Sequence, residues 1–97
     1  MATKKITIYT LSGFARVDGC ISTIVDAEVY TNIRSAKKAV ADQINDAIDA
    51  ENDRTEDETI TRITADDVCN SGYTLSNYND DDDIVDVRIV RHSVAIP

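Results

Sequence analysis

The stretch IRSAKKAVADQINDAIDA, residues 33–50, decides the fold class of this 97-residue chain. Its apolar side chains recur at steps of three and four residues, and on a helical wheel they fall within about 120° of one another. This pattern predicts an amphipathic helix from about Ile33 to Ala50, with Thr31 or Asn32 as its N-cap. The residues expected to face the core are Ile33, Ala36, Val40, Ile44, Ala47 and Ile48.

Two segments before the helix alternate apolar and polar residues, which is the pattern of strands that are buried on one face. They are KITIYTL (5–11) and CISTIVDAEVYT (20–31). Ser12-Gly13 and Asp18-Gly19 are turn residues. The two strands are therefore expected to form an antiparallel hairpin with a rather long loop.

The segments after the helix give one strong strand signal and several weaker ones. IVDVRIVRHSVAI (84–96) alternates like a strand and is expected to carry a bulge near His92. TITRIT (59–64) is β-branched and predicts a short strand. Thr64 to Asp67 matches a capping signal that would open one helical turn, ending near the following glycine. Residues 73–78 fit either a short strand or a loop.

Taken together, these elements predict an α+β fold in a single domain, residues 1–97. The sheet is expected to be small and antiparallel, with about three to five strands. Its element order is roughly β-β-α-(β)-β, and one main amphipathic helix packs on one face.

Charge is distributed unevenly along the chain, whose net charge is −8. Residues 1–41 carry a net +3, residues 42–83 a net −12 and residues 84–97 a net +1. A surface dominated by carboxylates repels nucleic acid and anionic membranes. We therefore expect no direct nucleic-acid binding and no membrane binding, and a basic protein surface as the partner.

The predicted helix carries a row of aspartates opposite its apolar stripe, at steps of four, three and four residues. If the helix reaches the last of them, the charges lie about 4.5–6 Å apart along its axis. This density approaches the one phosphate per ~3.4 Å of a DNA strand. Two further acidic runs are expected to be exposed and to extend this surface. The candidate partner-binding residues are Asp42, Asp46, Asp49, Asp53, Glu56, Asp57, Glu58, Asp80, Asp81, Asp82 and Asp83.

In size, charge and compactness the chain resembles small acidic inhibitors from phages and mobile elements, including DNA-mimicking anti-restriction and anti-CRISPR proteins. The resemblance implies an inhibitor that occupies a basic nucleic-acid-binding surface of a partner protein by charge mimicry. The alternative is a structural or self-assembling α+β domain whose acidic surface only confers solubility. Under that alternative, the C-terminal strand at a sheet edge would form a homodimer.

The residues that common catalytic and metal sites require are scarce. His92 is the single histidine, the glycines stand alone, and no zinc motif or phosphate-binding loop occurs. Cys20 and Cys69 are expected to be reduced and buried, with one disulfide between them as the alternative. A Cys69–His92 nucleophile and base, a two-carboxylate hydrolase and loose calcium binding at Asp80–Asp83 are weaker alternatives. We therefore expect no enzyme activity, no cofactor and no metal, in a cytoplasmic protein.

Overall fold

The structure, a computed structural model, describes residues 4–17, 19–25, 28–54, 60–76 and 83–96. It confirms the α+β prediction: a four-stranded antiparallel sheet in the order β2-β1-β4-β3 carries one main helix on one face. The elements are β1 (Lys4–Val17), β2 (Cys20–Val25), α1 (Ile33–Arg54), a 3-10 turn (Ala65–Asp67), β3 (Gly72–Ser76) and β4 (Ile84–Ile96).

The core lies between α1 and the sheet, and the apolar stripe of the helix forms half of it. Four stripe residues are completely buried, because each faces the sheet at helical spacing. From the sheet, Leu11 of β1 and three residues of β4 pack against them. The stripe prediction is therefore confirmed. The buried apolar residues of the two layers are Ala36, Val40, Ala41, Ile44, Ile48, Leu11, Val85, Val87 and Ile89.

The start of α1 is as predicted, but its end lies further along the chain. Asn32 is the N-cap, since its Oδ1 accepts a hydrogen bond of 2.8 Å from the Ser35 N–H. The helix continues to Arg54 rather than ending near Ala50. The additional turn is held by Asn52, whose side chain bonds to the backbone of a later segment.

The hairpin of β1 and β2 is tighter than the predicted long loop. Val17 pairs with Cys20, so two residues connect the strands, and Gly19 has a φ of 81°. The prediction of a turn at Ser12-Gly13 is wrong, because both residues lie inside β1. A Cβ on Gly13 would lie 1.8 Å from the Asp86 carbonyl oxygen. Glycine is needed there for the close approach of two backbones and not for a turn.

The last strand has its predicted bounds, Ile84–Ile96, but the predicted bulge is absent. Its pairing with β1 runs without interruption from Lys4↔Ile96 to Arg16↔Ile84. The second predicted strand ends at Val25 rather than near residue 31, and Tyr30 forms an isolated bridge with Tyr9.

Half of the β1–β4 pair extends beyond the other strands. β2 pairs with β1 from Ser12 onward, and β3 pairs with β4 only as far as Arg88. Residues 4–10 of β1 and 90–96 of β4 therefore form a two-stranded ribbon, and the rest of the described structure is the body. At about 3.4 Å per residue, the ribbon projects about 20–24 Å. The molecule accordingly measures 62 × 25 × 17 Å.

Residues 60–64 do not form the predicted strand, and two asparagines of α1 hold them instead. The Asn45 side chain accepts from the Ile63 N–H (2.8 Å) and donates to the Ile63 carbonyl (2.9 Å). Asn52 does the same with Ile60, at 2.8 and 3.0 Å. We call these two pairs of hydrogen bonds the asparagine clamps. Asn45 and Asn52 lie about 10.5 Å apart along the helix axis, and Ile60 and Ile63 lie about 10 Å apart in an extended chain, so both clamps can form at once.

The remaining segments follow the prediction or decide between its alternatives. Thr64 and Asp67 form the predicted cap of a 3-10 turn, in which the Asp67 carboxylate accepts from the Thr64 N–H at 2.8 Å. Of residues 73–78, which fit either a strand or a loop, residues 73–76 belong to β3 (Gly72–Ser76), and the last two lie outside the described residues. Within the described part of the chain, no helix combines the length and the apolar character needed to cross a membrane.

Candidate interaction surface

The structure places all four aspartates of the predicted row on α1, because the helix extends past the last of them. Asp42, Asp46 and Asp53 are exposed, and Asp49 is half-buried. The opposite side of the same helix is the buried apolar stripe. The row therefore lies on a rigid support, and its side chains point away from the sheet.

Two cations partly neutralise this row. The Lys38 ammonium lies 3.0 Å from the Asp42 carboxylate, one turn away on the same helix. Arg62, from the segment that the asparagines clamp, donates to Asp49. The hydrogen bond and charge of Asp49 raise the pKa of Arg62, and the charges of Asp46 and Asp42 act in the same direction. Arg62 therefore lies in the field of the row.

The pairing of Arg62 with Asp49 was not visible in the sequence, since thirteen residues separate the two. Only the asparagine clamps bring residues 60–63 alongside the helix and so place the guanidinium beside the carboxylates. An extended segment lined by helix asparagines leaves no periodic signal. The spacing of Asn45 and Asn52, seven residues apart on one flank of the helix, is the only hint.

The charges along α1 oppose the helix dipole. Its first turn contains no acidic residue, and the N-terminal half carries Arg34, Lys37 and Lys38. The aspartates follow towards the C-terminal end, where the dipole favours cations. Asp42 also follows its lysine, which is the less favourable order for a pair four residues apart. Helix stability therefore does not account for this distribution of charge.

A groove lies beside the row, between α1 and the clamped segment. Its volume is about 680 Å³. Arg34 and Lys38 line it from the helix, together with Asp42, and Asp66 lines it from the 3-10 turn. The groove is therefore lined by both signs of charge, and Asp42 is the residue of the row that borders it.

The predicted extension of the row through an exposed aspartate run is wrong at Asp83. This side chain is 2% exposed and is among the most buried in the protein. The reason is its position directly before Ile84, which pairs with β1 on one side and β3 on the other. The remaining extension residues lie outside the part of the chain that the structure describes: Glu56, Asp57, Glu58, Asp80, Asp81 and Asp82.

Glu51, one residue beyond the predicted end of the helix at Ala50, is a buried carboxylate. It is 6% exposed, because it lies on the apolar side of α1, three residues after Ile48 and seven after Ile44. It borders an apolar concavity of about 300 Å³ together with Ala47 and Val85. Its spacing from the stripe was the signal that could have located it.

Asp86 is a third buried carboxylate, on the sheet face that the helix does not cover. Burial by itself would raise the pKa of Asp86. Hydrogen bonds from Arg88 (2.9 Å) and Thr74 (2.8 Å), with the charge of Arg88, outweigh burial and lower this pKa below its usual 3.8. Asp86 is therefore ionised and serves to join β3 to β4.

The two cysteines and the histidine lie at the surface of the protein. Cys20 and Cys69 are both exposed and form no disulfide, so the prediction of buried thiols is wrong. Cys20 follows the hairpin turn and Cys69 lies in a tight turn with Gly72, positions that the core does not cover. His92 is exposed, and its Nε2 lies 2.9 Å from Thr10 Oγ1, within hydrogen-bond distance. Among the described residues, no three metal-binding side chains converge.

Comparison with protein-family models, with curated proteins and with solved structures gave no match to this chain. Two features of the surface bear on function: the acidic helix face in the body and the projecting ribbon.

Proposed function

We propose that this chain is a non-catalytic binding protein whose acidic helix face occupies a basic surface of a partner protein. The observation that carries the proposal is the row on α1, where Asp42, Asp46, Asp49 and Asp53 share the side opposite the buried stripe. A rigid row loses little conformational entropy on binding. Its charge spacing suits a groove that ordinarily holds a nucleic-acid backbone.

The individual carboxylates have different parts in this proposal. Among the described side chains, ion pairs engage Asp42 and Asp49 but not Asp46 and Asp53. The latter two would meet cations of the partner first, without breaking an internal pair. Asp49 would follow if a cation of the partner replaced Arg62. The exposed internal pairs cost little to break, because surface ion pairs contribute little in water.

The mode of action would be charge mimicry, as in phage and mobile-element inhibitors of the anti-restriction and anti-CRISPR type. The partner would hold either nucleic acid or this protein at the same basic groove. Such competition needs no pocket and no reactive residue on the inhibitor. It requires only that the acidic face approach the groove without obstruction, and the exposed outer side of α1 meets this condition.

The test is capture of partners from nuclease-treated bacterial lysate by tagged protein, at about 50 and about 200 mM salt. We expect a basic nucleic-acid-binding protein that is lost at the higher salt and is released from the beads by added DNA duplex. Asp46→Asn/Asp53→Asn should reduce its capture at least several-fold. These changes remove two charges while leaving both internal ion pairs in place.

Asp66→Asn is the matched control, because Asp66 is equally exposed but lies on the 3-10 turn rather than on α1. The Asp66→Asn variant should capture as much partner as the unaltered protein does. Equal capture by the double variant would mean that the row is a solvated surface that only confers solubility. A captured protein that added DNA fails to release would exclude mimicry while leaving a binding role intact.

A further inference from the structure

The two long edges of the ribbon differ in how they are protected. On the β1 edge, Tyr9 exchanges two backbone hydrogen bonds with Tyr30, at 2.8 and 2.9 Å, and Lys4 and Lys5 follow towards the tip. Lysines and covering segments are the usual means of blocking an open edge. The β4 edge beyond Ile89 has no bulge, no proline within residues 90–96 and no pairing with any described segment.

The backbone groups on the open edge can be assigned from the neighbouring hydrogen bonds. The Ile89 N–H donates to the Ser71 carbonyl at 3.0 Å, so the backbone of Ile89 points away from β1. In an antiparallel ladder, alternate residues point to the same side. The N–H and C=O groups of Arg91, Ser93 and Ala95 therefore all point outward from the β4 edge.

The apolar side of the ribbon is opposite to that of the body. In the body, Val87 and Ile89 face the helix from odd positions of β4. In the ribbon, the exposed apolar residues are at even positions: Val90 and Val94 (each 39% exposed) and Ile96 (38%). Because the register is continuous, these side chains point away from the helix. The shift that sequence reasoning attributed to a bulge is therefore a change of apolar face.

β1 changes its apolar face near the same position. Leu11, at an odd position, is buried against the helix, whereas Ile6, at an even position, is 44% exposed. Leu11 pairs with Ile89 and Ile6 pairs with Val94, so both strands change together. The ribbon thus has one apolar face, one polar face and one open edge.

We propose that the β4 edges of two copies pair antiparallel about a two-fold axis at Ser93. Ser93 would then face its own equivalent, and Arg91 would face Ala95 of the second copy. Every outward backbone group of the three residues would be paired, giving about six hydrogen bonds. If the axis lay one residue earlier or later, only two of these three residues on each copy would face an open, outward-pointing residue of the other copy.

The side chains across this junction are compatible in the same register. Val90 lies opposite Ile96 of the second copy, and His92 lies opposite Val94, so the apolar faces of both ribbons join. Arg91 lies opposite an alanine, and no like charges are directly opposed. Cross-strand apolar pairs of this kind stabilise antiparallel strands. This self-complementarity favours a second copy over an unrelated strand.

Space for the incoming strand exists where β3 ends. A groove of about 730 Å³ lies there, lined by Ser71, Gly72, Arg88 and Arg91. In the proposed register, Ile96 of the second copy pairs with Val90 and so reaches the mouth of this groove. The tip of one ribbon would therefore rest beside the body of the other.

Charge makes the salt dependence of this dimer diagnostic. Each ribbon carries Lys4, Lys5 and Arg91 and no acidic residue, and each chain has a net charge of −8. Both the ribbons and the whole chains repel one another, so added salt should strengthen the dimer. Binding of the acidic row to a basic partner is weakened by salt. Failure of one proposal is thus distinguishable from failure of the other.

The test is sedimentation equilibrium of the full chain from about 1 to about 500 µM, a range that covers weak dimers. We expect twice the monomer mass at the upper end. Ser93→Pro should be monomeric, because it removes an outward N–H that the dimer needs. The monomer should still fold, since proline is tolerated where no hydrogen bond within the sheet is lost. Thr7→Pro is the matched control: Thr7 is the direct partner of Ser93, its N–H points outward from the other edge, and the dimer should persist.

Amide hydrogen exchange of the unaltered protein gives a second readout that does not depend on a folded variant. The amides of Arg91, Ser93 and Ala95 should gain protection with concentration, while that of Thr7 does not. A monomer at every concentration overturns the proposal. A dimer that Ser93→Pro and Thr7→Pro weaken equally, with no added protection at Ser93, overturns it as well. That result would indicate packing of the apolar ribbon faces instead.

Discussion

The body and the ribbon are built from the same two strands but differ in what lies against them. In the body, α1 covers one face of β1 and β4, and Leu11, Val87 and Ile89 are buried. In the ribbon, the two strands continue with the same register, and none of their side chains is buried. Strand pairing alone therefore makes no core here. A two-stranded ribbon is marginal in water unless another layer or another strand joins it.

The two regions also differ in the sign of their charged side chains. The body contains the carboxylate row on α1 and the buried Asp83 and Asp86. The ribbon contains three basic residues and no acidic one. The body thus presents a surface suited to cations, and the ribbon presents an apolar face and an open edge. Under the two proposals, the acidic row of the body would bind a basic partner, and the open edge of the ribbon would bind a second copy.

The largest expected difference between the regions concerns two valines of β4, seven residues apart. Val87 is completely buried and Val94 is 39% exposed. Val87→Ala should lower the free energy of unfolding by about 2–3 kcal/mol, because it leaves a cavity beneath the helix. Val94→Ala should lower it by less than about 0.5 kcal/mol in dilute monomer. Urea denaturation at low protein concentration measures both values.

Equal effects of these two changes would mean that the ribbon is as well packed as the body. A loss at Val94 that grows with protein concentration would instead support pairing of the ribbon with a second copy. Val85→Ala, at another buried position of β4, provides a further reference for the body.

An intermediate effect on the free energy of unfolding is expected at the segment 60–63, which asparagine side chains of α1 hold in place and which belongs to no strand of the sheet. Asn45→Ala should lower the free energy of unfolding by about 1–3 kcal/mol, because it leaves the peptide groups of Ile63 without their partners. Hydrogen exchange should then rise at the Ile63 amide but stay unchanged in the ribbon. Asn52→Ala should have the smaller effect, since Asn52 is less buried. Unchanged exchange at Ile63 would contradict the clamp.

The smallest effect is the pH dependence contributed by Asp86. Its pKa is lower in the folded protein than its usual 3.8, so its ionised form stabilises the fold. This contribution is complete above about pH 5 and is lost as the pH falls through the lowered pKa. The stability difference between the unaltered protein and Asp86→Asn should be constant at neutral pH and should narrow in acid. Urea titrations at a series of pH values measure it, and a constant difference throughout would contradict the assignment.

The helix was the most predictable part of the molecule, because its pattern depends on local periodicity. The stripe around Val40 and Ile44, the cap at Asn32 and the bounds of β4 all follow from neighbouring residues in the sequence. The row on α1 could be anticipated for the same reason, since helical spacing places Asp42 to Asp53 on one side. What such residues bind was not predictable from spacing.

The parts that sequence reasoning missed depend on contacts between distant segments. The sequence predicts a turn at Gly13, whereas glycine is required there because the backbone of Asp86 approaches closely. Asp86 lies on a strand about seventy residues away, so no local pattern reveals this contact. The acidic run predicts an exposed Asp83. It is buried because the next residue, Ile84, pairs with β1 on one side and β3 on the other. Arg62 reaches Asp49 only through the asparagine clamps.

The sequence by itself therefore determined the fold class, the amphipathic helix and the last strand, because periodicity and capping are local and each residue reports on its neighbours. Only the tertiary structure decided where β1 and β4 leave the body, which carboxylates lie inside and which edge is open. Those features depend on strand order and register, and register is a relation between residues far apart in the chain. The change of apolar face at Ile89 was present in the sequence, but only the continuous register showed what it meant.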